Sequence, residues 1–488
     1  MTQVNDQLVR EMVEKVLQHV QTGWGGRVAP TPGKGAAAPI SSAATAPGKF
    51  GQFTSVADAV AAAKVAQKAL MRVSLANREI ACELIRQICI NRSDELGNME
   101  MDETKIGHRP HKAEKLVIAA RVAQGVAALS TECHSGDHGI TLEEHAPWGV
   151  IGAILPVTHS LPTLAVNAVN MIAAGNSVVF NPHPGGKRIA AYGAKLFNQA
   201  IYEKLGIDNL VCVVTDPTIE SANELFKHPD VRMLVVTGGP AVVASALRSG
   251  KRAVCAGPGN PPVVVDASAD LENAARCIIE GCSYDNNLLC LSEKEAFVEA
   301  AVWDQMMDEM SKAGACRLSR QQMDELTRLV IEVPSSGGHA HANKKYVGAE
   351  PQVLAALVGV TVPATCRLLF GEVAPDSALV SAEQMMPLLP FVKCDTFEQC
   401  VERAKAAEHG FRHTSVLHSR LVDHMTYMGK EMDTTLFVKN GPSVAGDGSG
   451  GEGYGNFTIA CSTGEGVVSP MTFTRWRRCV MVDNLRII

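Results

Sequence analysis

A chain of 488 residues is too long for one hydrophobic core and predicts two or more domains. Its 46% hydrophobic and 20% charged content are those of a globular protein. A net charge of −6 and a pI near 6.2 argue against nucleic acid or an anionic membrane as the main partner. No apolar run reaches the roughly 20 uninterrupted residues of a membrane span. The 14 cysteines are scattered, mostly single, and set in apolar contexts such as those of Cys82 and Cys212. They read as reduced thiols of a cytosolic protein.

In chain order, residues 3–20 place Val4, Leu8, Val9, Met12, Val13, Val16, Leu17 and Val20 on one helical face, opposite Arg10, Glu11, Glu14 and Lys15. Asn5 or Asp6 can cap this helix. The acids inside it and the lack of an unbroken apolar core exclude a secretory signal. So short a helix needs a surface to cover its stripe. It reads as a docking device, the alternative being a helix folded back on its own domain. Residues 21–50 turn to Gly, Pro, Ala, Ser and Thr, with Pro30, Pro32, Pro39 and Pro47 among small residues, and predict a flexible linker.

Helical patterns follow over 56–71, 76–92 and 112–129. Then come a strand over 148–155, a helix over 162–174, a strand over 177–180 and a helix over 187–205. A strand over 210–214, a helix over 219–226 and a strand over 233–237 continue the alternation, and a second α/β unit spans 262 to about 439. Such βαβα order predicts parallel sheets covered by helices, an α/β fold.

Cys290 carries the strongest chemical signal. It lies in Ser283-Tyr-Asp-Asn-Asn-Leu-Leu-Cys290, between an Asn/Asp-rich loop and an apolar, strand-like run, so a turn can aim its backbone N–H at a substrate oxygen. The competing reading is a buried structural thiol. Two strand ends have the look of dinucleotide loops: Val178-Val-Phe-Asn181-Pro182-His183-Pro-Gly-Gly-Lys187 and Leu234-Val-Val-Thr237-Gly238-Gly239-Pro240. Each feeds a helix whose free N–H groups can receive a phosphate, and glycine permits close approach. Neither is the G-x-G-x-x-G fingerprint. There is no C-x-x-C pair, and the histidines at 134, 138, 339 and 341 lack a second ligand pair at zinc spacing, so no metal is expected.

The Gly-rich βα turn, the crossover Cys255-Ala-Gly257-Pro-Gly259-Asn260 and a Cys some thirty residues on resemble the aldehyde dehydrogenase superfamily. Pro147-Trp-Gly-Val-Ile-Gly152, Asn181-Pro-His-Pro184, Ser283-Tyr-Asp-Asn-Asn287, Met385-Met-Pro387 and Lys439-Asn-Gly-Pro442 resemble its CoA-acylating branch from bacterial microcompartments. That resemblance implies two parallel-sheet domains, a dinucleotide-binding one over 51–258 and a catalytic one over 259–442. It adds a small oligomerisation β extension that includes 131–146, and a C-terminal segment over 443–488 lining the pocket mouth and joining subunits as a dimer or dimer of dimers.

It also implies NAD as cofactor and coenzyme A as co-substrate. Cys290 is the implied nucleophile. His159 stands where the branch carries an oxyanion-hole Asn, and as a histidine it is expected to donate an N–H or to bring pH dependence near neutrality. Asn181, Pro182, Thr237, Gly238, Gly239 and Gly257 are the implied dinucleotide contacts, and Glu383 the partner of the nicotinamide ribose. Hydrolytic members carry a Glu base in the crossover, and residues 256–260 contain no carboxylate, which points to acyl transfer to a thiol. Arg475, Arg477 and Arg478 are expected either to attract CoA phosphates or to form subunit salt bridges. The implied activity is oxidation of a short aldehyde, propionaldehyde first, to its acyl-CoA. Residues 1–20 resemble the peptides that dock enzymes onto a microcompartment shell protein, which implies the lumen of such a compartment in a bacterial cytoplasm. The rivals are hydrolytic oxidation to a free acid and a catalytically idle shell-organising protein.

Overall fold

The computed structural model describes residues 50–334 and 340–487. The amphipathic helix expected over 1–20, the linker before Phe50, and His339 lie outside them. Helices begin where short polar side chains can take a free first-turn N–H: Ser55 accepts from Asp58, Ser74 from Asn77, Thr218 from Ser221, Asp270 from Asn273 and Thr396 from Gln399.

The expected alternation builds two sheets, each parallel throughout. The first runs in the order Gln52–Phe53, Val211–Val214, Ser177–Pro182, Val150–Leu155, Val231–Thr237, Arg252–Ala256. Chain order reverses about Val150–Leu155: the next strand in sequence lies on one side of it and Val231–Thr237 on the other. The carboxyl ends therefore part into a crevice at this switch point. Val150–Leu155, Ser177–Pro182 and Val211–Val214 are buried at every position, because both faces of the sheet are covered. The second sheet runs Cys316–Arg317, Leu369–Glu372, Leu388–Cys394, Glu295–Glu299, Pro262–Val265, Thr414–His418, Leu436–Lys439.

A third, antiparallel sheet joins Glu132–Gly136, Gly139–Pro147 and Thr474–Val482. Among the described residues the last strand keeps one edge unpaired and leaves Trp476, Val480 and Val482 exposed. It takes up only nine residues of the C-terminal segment over 443–488. Arg475, Arg477 and Arg478 belong to the strand too, which a search for apolar alternation does not show.

Two further expectations change. Ser93–Thr104 is an unanticipated helix, since its run of acids presents no apolar stripe. It packs through Gly97, where an added Cβ would lie 2.5 Å from the Ala113 nitrogen. The helix expected over 112–129 is Arg109–Val122, started by Pro110 and followed by a separate short turn over Val126–Ala128. Among the described residues no helix is long and apolar enough to cross a membrane.

Candidate active site

The nucleophile loop is fixed by polar side chains. After the helix Leu271–Ser283, Asp285, Asn286 and Asn287 take φ values of 46°, 54° and 64°, three left-handed residues in a row. Only short polar side chains visit this region readily among residues with a Cβ, and then usually singly. Each of the three is tied down. Asp285 Oδ2 accepts from Lys112 Nζ at 3.0 Å and Lys115 Nζ at 2.5 Å, and its Oδ1 accepts the His108 N–H at 2.8 Å. The Asn286 amide donates to the Gly348 carbonyl at 3.0 Å, and its Oδ1 accepts from Arg367 at 3.0 Å. The Asn287 amide donates to the carbonyls of Cys282 at 2.8 Å and Glu293 at 2.9 Å.

Beneath the turn, the buried Lys294 ammonium donates to Asn287 Oδ1 at 2.5 Å and to the carbonyls of Asn287 and Leu289, each at 3.0 Å. Four polar residues, Ser292 to Glu295, have no solvent exposure. Burial holds the Lys294 ammonium below its ordinary pKa and the Glu295 carboxyl well above its own.

This turn delivers Cys290 to a cleft of about 1280 Å³ at the switch point of the first sheet. Burial, and then the Glu383 carboxylate, push the Cys290 thiol well up, with Lys294 opposing. The thiol is therefore protonated at neutral pH, unlike the inert core reading only in that it faces the cleft. All nine residues singled out from the sequence line this one cleft. Asn181 and Pro182 come from the end of Ser177–Pro182, Thr237, Gly238 and Gly239 from the end of Val231–Thr237, His159 from the turn after Val150–Leu155 and Gly257 from just past Arg252–Ala256, all in the first sheet, while Glu383 and Cys290 come from later in the chain. Asn181 Oδ1 accepts from Ser221 Oγ at 2.6 Å, and the Thr237 hydroxyl meets that of Thr458 at 2.8 Å. Gly239 caps the helix Pro240–Leu247 with φ −68°, and a Cβ there would meet nothing within 4 Å.

His159 immediately precedes the helix Ser160–Ala173, with φ −155° and ψ 61°. Its ring lies 5.4 Å from that of Phe457, and its buried Nδ1 has no hydrogen-bond partner. Burial, followed by the charges of Lys115 and Lys112, lowers its pKa well below the usual value. A cation there would be desolvated beside two ammonium groups, which favours the N–H donor reading of His159 over titration near neutrality.

The wall over 256–260 has little spare room. A Cβ on Gly257 would lie 2.6 Å from Ser462 Oγ, and one on Gly259 would lie 2.6 Å from the Cys290 carbonyl and 3.0 Å from the His413 ring. The Gly259 N–H bonds to the Glu383 carboxylate, whose pKa is raised by burial. His413 lies behind this wall, and sequence reasoning did not pick it out. It is fully buried, its Nδ1 is 2.8 Å from Thr414 Oγ1, its Nε2 has no partner, and burial lowers its pKa to about 3. Its only sequence signal is a histidine at the head of a buried strand.

The model for the aldehyde dehydrogenase family matches residues 37–458. The chain belongs to the aldehyde dehydrogenase family. The acetylating acetaldehyde dehydrogenase EutE of Salmonella typhimurium is 43% identical over 441 residues, 90% of this chain and 94% of that protein. The propionaldehyde dehydrogenase of Rhodopseudomonas palustris, solved with bound CoA and an acylated cysteine, is 42% identical with a TM-score of 0.86, covering 90% of this chain and 100% of that one. The propionaldehyde dehydrogenase of the Clostridium phytofermentans fucose utilisation bacterial microcompartment is 40% identical with a TM-score of 0.87, again covering 90% and 100%. One relative is named as acetylating, one holds CoA and an acylated cysteine, and one comes from a bacterial microcompartment, the features to which the sequence motifs pointed.

Within this aldehyde dehydrogenase, the arginines near the C-terminus do not line the cleft. Arg478 binds Glu143 through two nitrogens at 2.8 and 2.5 Å, and the Trp476 ring lies 4.1 Å from that of His145. The same hairpin sets His134 3.7 Å from Glu143 with Glu132 alongside, a grouping made by strand register rather than by sequence spacing.

Proposed function

We propose that this aldehyde dehydrogenase oxidises a short aliphatic aldehyde, propionaldehyde first, and passes the acyl group from Cys290 to coenzyme A. One observation carries the reading: Cys290 shares a cleft with two strand-end loops of dinucleotide type, while the adjoining wall over 256–260 bears no carboxylate. The cleft suits a nicotinamide dinucleotide. It offers apolar sides at Pro182 and Val242, a helix N-terminus behind Gly238 and Gly239, and a single carboxylate at Glu383. Asn181, Pro182, Thr237, Gly238, Gly239, Gly257 and Glu383 would hold NAD, which when bound supplies the hydride acceptor.

Cys290 gives up its proton to solvent water at the open cleft and its sulfur adds to the aldehyde carbon. The oxygen charge that develops is received by the Cys290 backbone N–H and the neutral His159 imidazole N–H. After hydride loss an acyl thioester remains on Cys290. With no base placed to activate water, it waits for a second thiol. The CoA sulfur takes the acyl group and the Cys290 sulfur is released.

Leu289 and Leu291, the neighbours of the nucleophile, border with Ile118, Val444 and Phe457 a void with room for about one water molecule, which suits a short chain rather than a long one. Asp447 and Ser449 at the same cavity, and the unpartnered Tyr284 hydroxyl, favour a second reading in which the chain carries a hydroxyl, as in lactaldehyde. Residues 1–20 would dock the enzyme onto a shell protein inside a bacterial microcompartment, and the open-edged strand Thr474–Val482 would join subunits in a dimer or dimer of dimers.

The test is NADH formation from propionaldehyde and from lactaldehyde, with NAD or NADP, with and without CoA, and with Cys290→Ser as control. Strict CoA dependence with acyl-CoA as product is expected. Sustained turnover to free acid without CoA would overturn the acyl-transfer reading. Deleting residues 1–20 should leave the rate unchanged and abolish co-purification with shells.

A further inference from the structure

The cleft residues rest on a buried cluster of charges that belongs to none of the binding surfaces. Lys112 and Lys115 lie one turn apart on Arg109–Val122, and with Glu100 and Asp285 they have no solvent exposure at all. Residues three apart share a helix face, so both ammonium groups point the same way. They also reach the same two acceptors. Each Nζ donates to the Thr158 carbonyl at 3.0 Å, and the two donate to Asp285 Oδ2 at 3.0 and 2.5 Å.

The two acceptors come from opposite parts of the site. Thr158 supplies the peptide group that enters His159, while Asp285 is the first left-handed residue of the turn leading to Cys290. On the far side of His159, the Ser160 N–H donates to Glu100 Oε1 at 2.9 Å. Both peptide groups flanking His159 are therefore gripped by buried charged side chains, although the ring itself makes no bond through Nδ1. A helix needing only to neutralise Asp285 could do so with one lysine. Two lysines with four bonds to two acceptors fix a distance between those acceptors.

We propose that Lys112 and Lys115 are positioning residues that lock the His159 peptide and the Cys290 turn into one frame, so that they act on the reaction through His159. This rests on the reading of His159 as an oxyanion donor. Neither lysine touches substrate or cofactor in this arrangement; what they set is where the imidazole N–H stands relative to the sulfur, and a displacement of about 1 Å there is enough to cost on the order of 100-fold in rate.

The experiment is a double-mutant cycle on the full-length enzyme with Lys115→Met and His159→Ala, reading kcat and the KM for NAD and CoA. Groups acting through one another are non-additive. Lys115→Met alone is expected to lower kcat about 10-fold or more with both KM values within about twofold, since the pair sets geometry and not binding. In the His159→Ala background the same change should lower kcat by less than about twofold. Equal losses in both backgrounds would overturn the inference and leave His159 as oxyanion donor untouched. A normal rate in His159→Ala alone would remove that role and this inference together. Should Lys115→Met fail to fold, Lys112→Met keeps one ammonium across the same two acceptors and must show the same non-additivity. Failure of both to fold would assign the pair to stability alone and overturn the inference.

Discussion

The two sides of the cleft are built on opposite plans. On the nucleophile side, three consecutive left-handed residues are each bound through their own side chains, with Lys294 beneath them and Lys112 and Lys115 beside them. On the dinucleotide side, Gly238 and Gly239 sit at an open strand end, and the Asn181 side chain accepts from the Ser221 hydroxyl. The difference teaches where order has to be built in. A reacting sulfur must be placed before substrate arrives, so the chain commits buried charge to placing it. A cofactor brings its own hydrogen-bonding groups and needs only room and a favourable helix end.

This contrast can be broken by mutation, and the largest effect is expected at Asp285. Asp285→Ala would strand two buried ammonium groups and release the turn. Removing one partner of such a buried set costs about 3–5 kcal/mol, to be measured as denaturant-induced unfolding; a loss below 1 kcal/mol would mean that the turn is held by something else. Next, Gly259→Ala should push on the Cys290 carbonyl and the His413 ring. An overpacking cost of about 1–3 kcal/mol is expected, together with a fall in kcat. At the small end, Gly239→Ala meets open space at an ordinary φ, and its stability should stay within about 0.5 kcal/mol of the parent.

The charge behind the nucleophile also gives a pH signature. Burial raises the Glu293 carboxyl to about 7 and the Asp447 carboxyl to about 8. Their folded values lie above the ordinary carboxylate range, so the stability they contribute is full below about pH 4 and is lost as pH rises through 7 and 8. Melting temperature should fall between pH 6 and pH 9, and Glu293→Gln should flatten the first part of that fall. Asp285, whose carboxylate is held low by the two lysines, behaves oppositely and gives up its contribution only in acid.

The same contrast explains what was legible in the sequence. Strands buried on both faces announce themselves as apolar runs, and strand-end glycines are visible one by one, so the four central strands of the first sheet and the dinucleotide loops could be read directly, while its edge strands Gln52–Phe53 and Arg252–Ala256 could not. Cys290 stood out because Asp285, Asn286 and Asn287 form an unusual run before it. The framework holding that run did not stand out. Lys112, Lys115, Lys294 and Glu295 look like surface residues to any periodicity argument, and their burial depends on partners up to 173 positions away, the separation of Lys112 and Asp285. Thus His159 was found by its place in a motif, while its lowered pKa comes first from burial and then from two lysines the motif does not contain. The helix Ser93–Thr104 was missed for a related reason, since a close glycine contact takes the place of an apolar stripe.

The crowding around Gly257 and Gly259 also limits what this enzyme can become. A backbone carbonyl fills the space beside Gly259, a hydroxyl fills that beside Gly257, and the Asn260 amide is already spent on the carbonyls of Val380 and Ala407. Ala256, at the end of its strand on the cleft wall, is itself buried. A shift of product from thioester to free acid would therefore have a narrow mutational entrance, blocked by neighbouring atoms at Gly257 and Gly259.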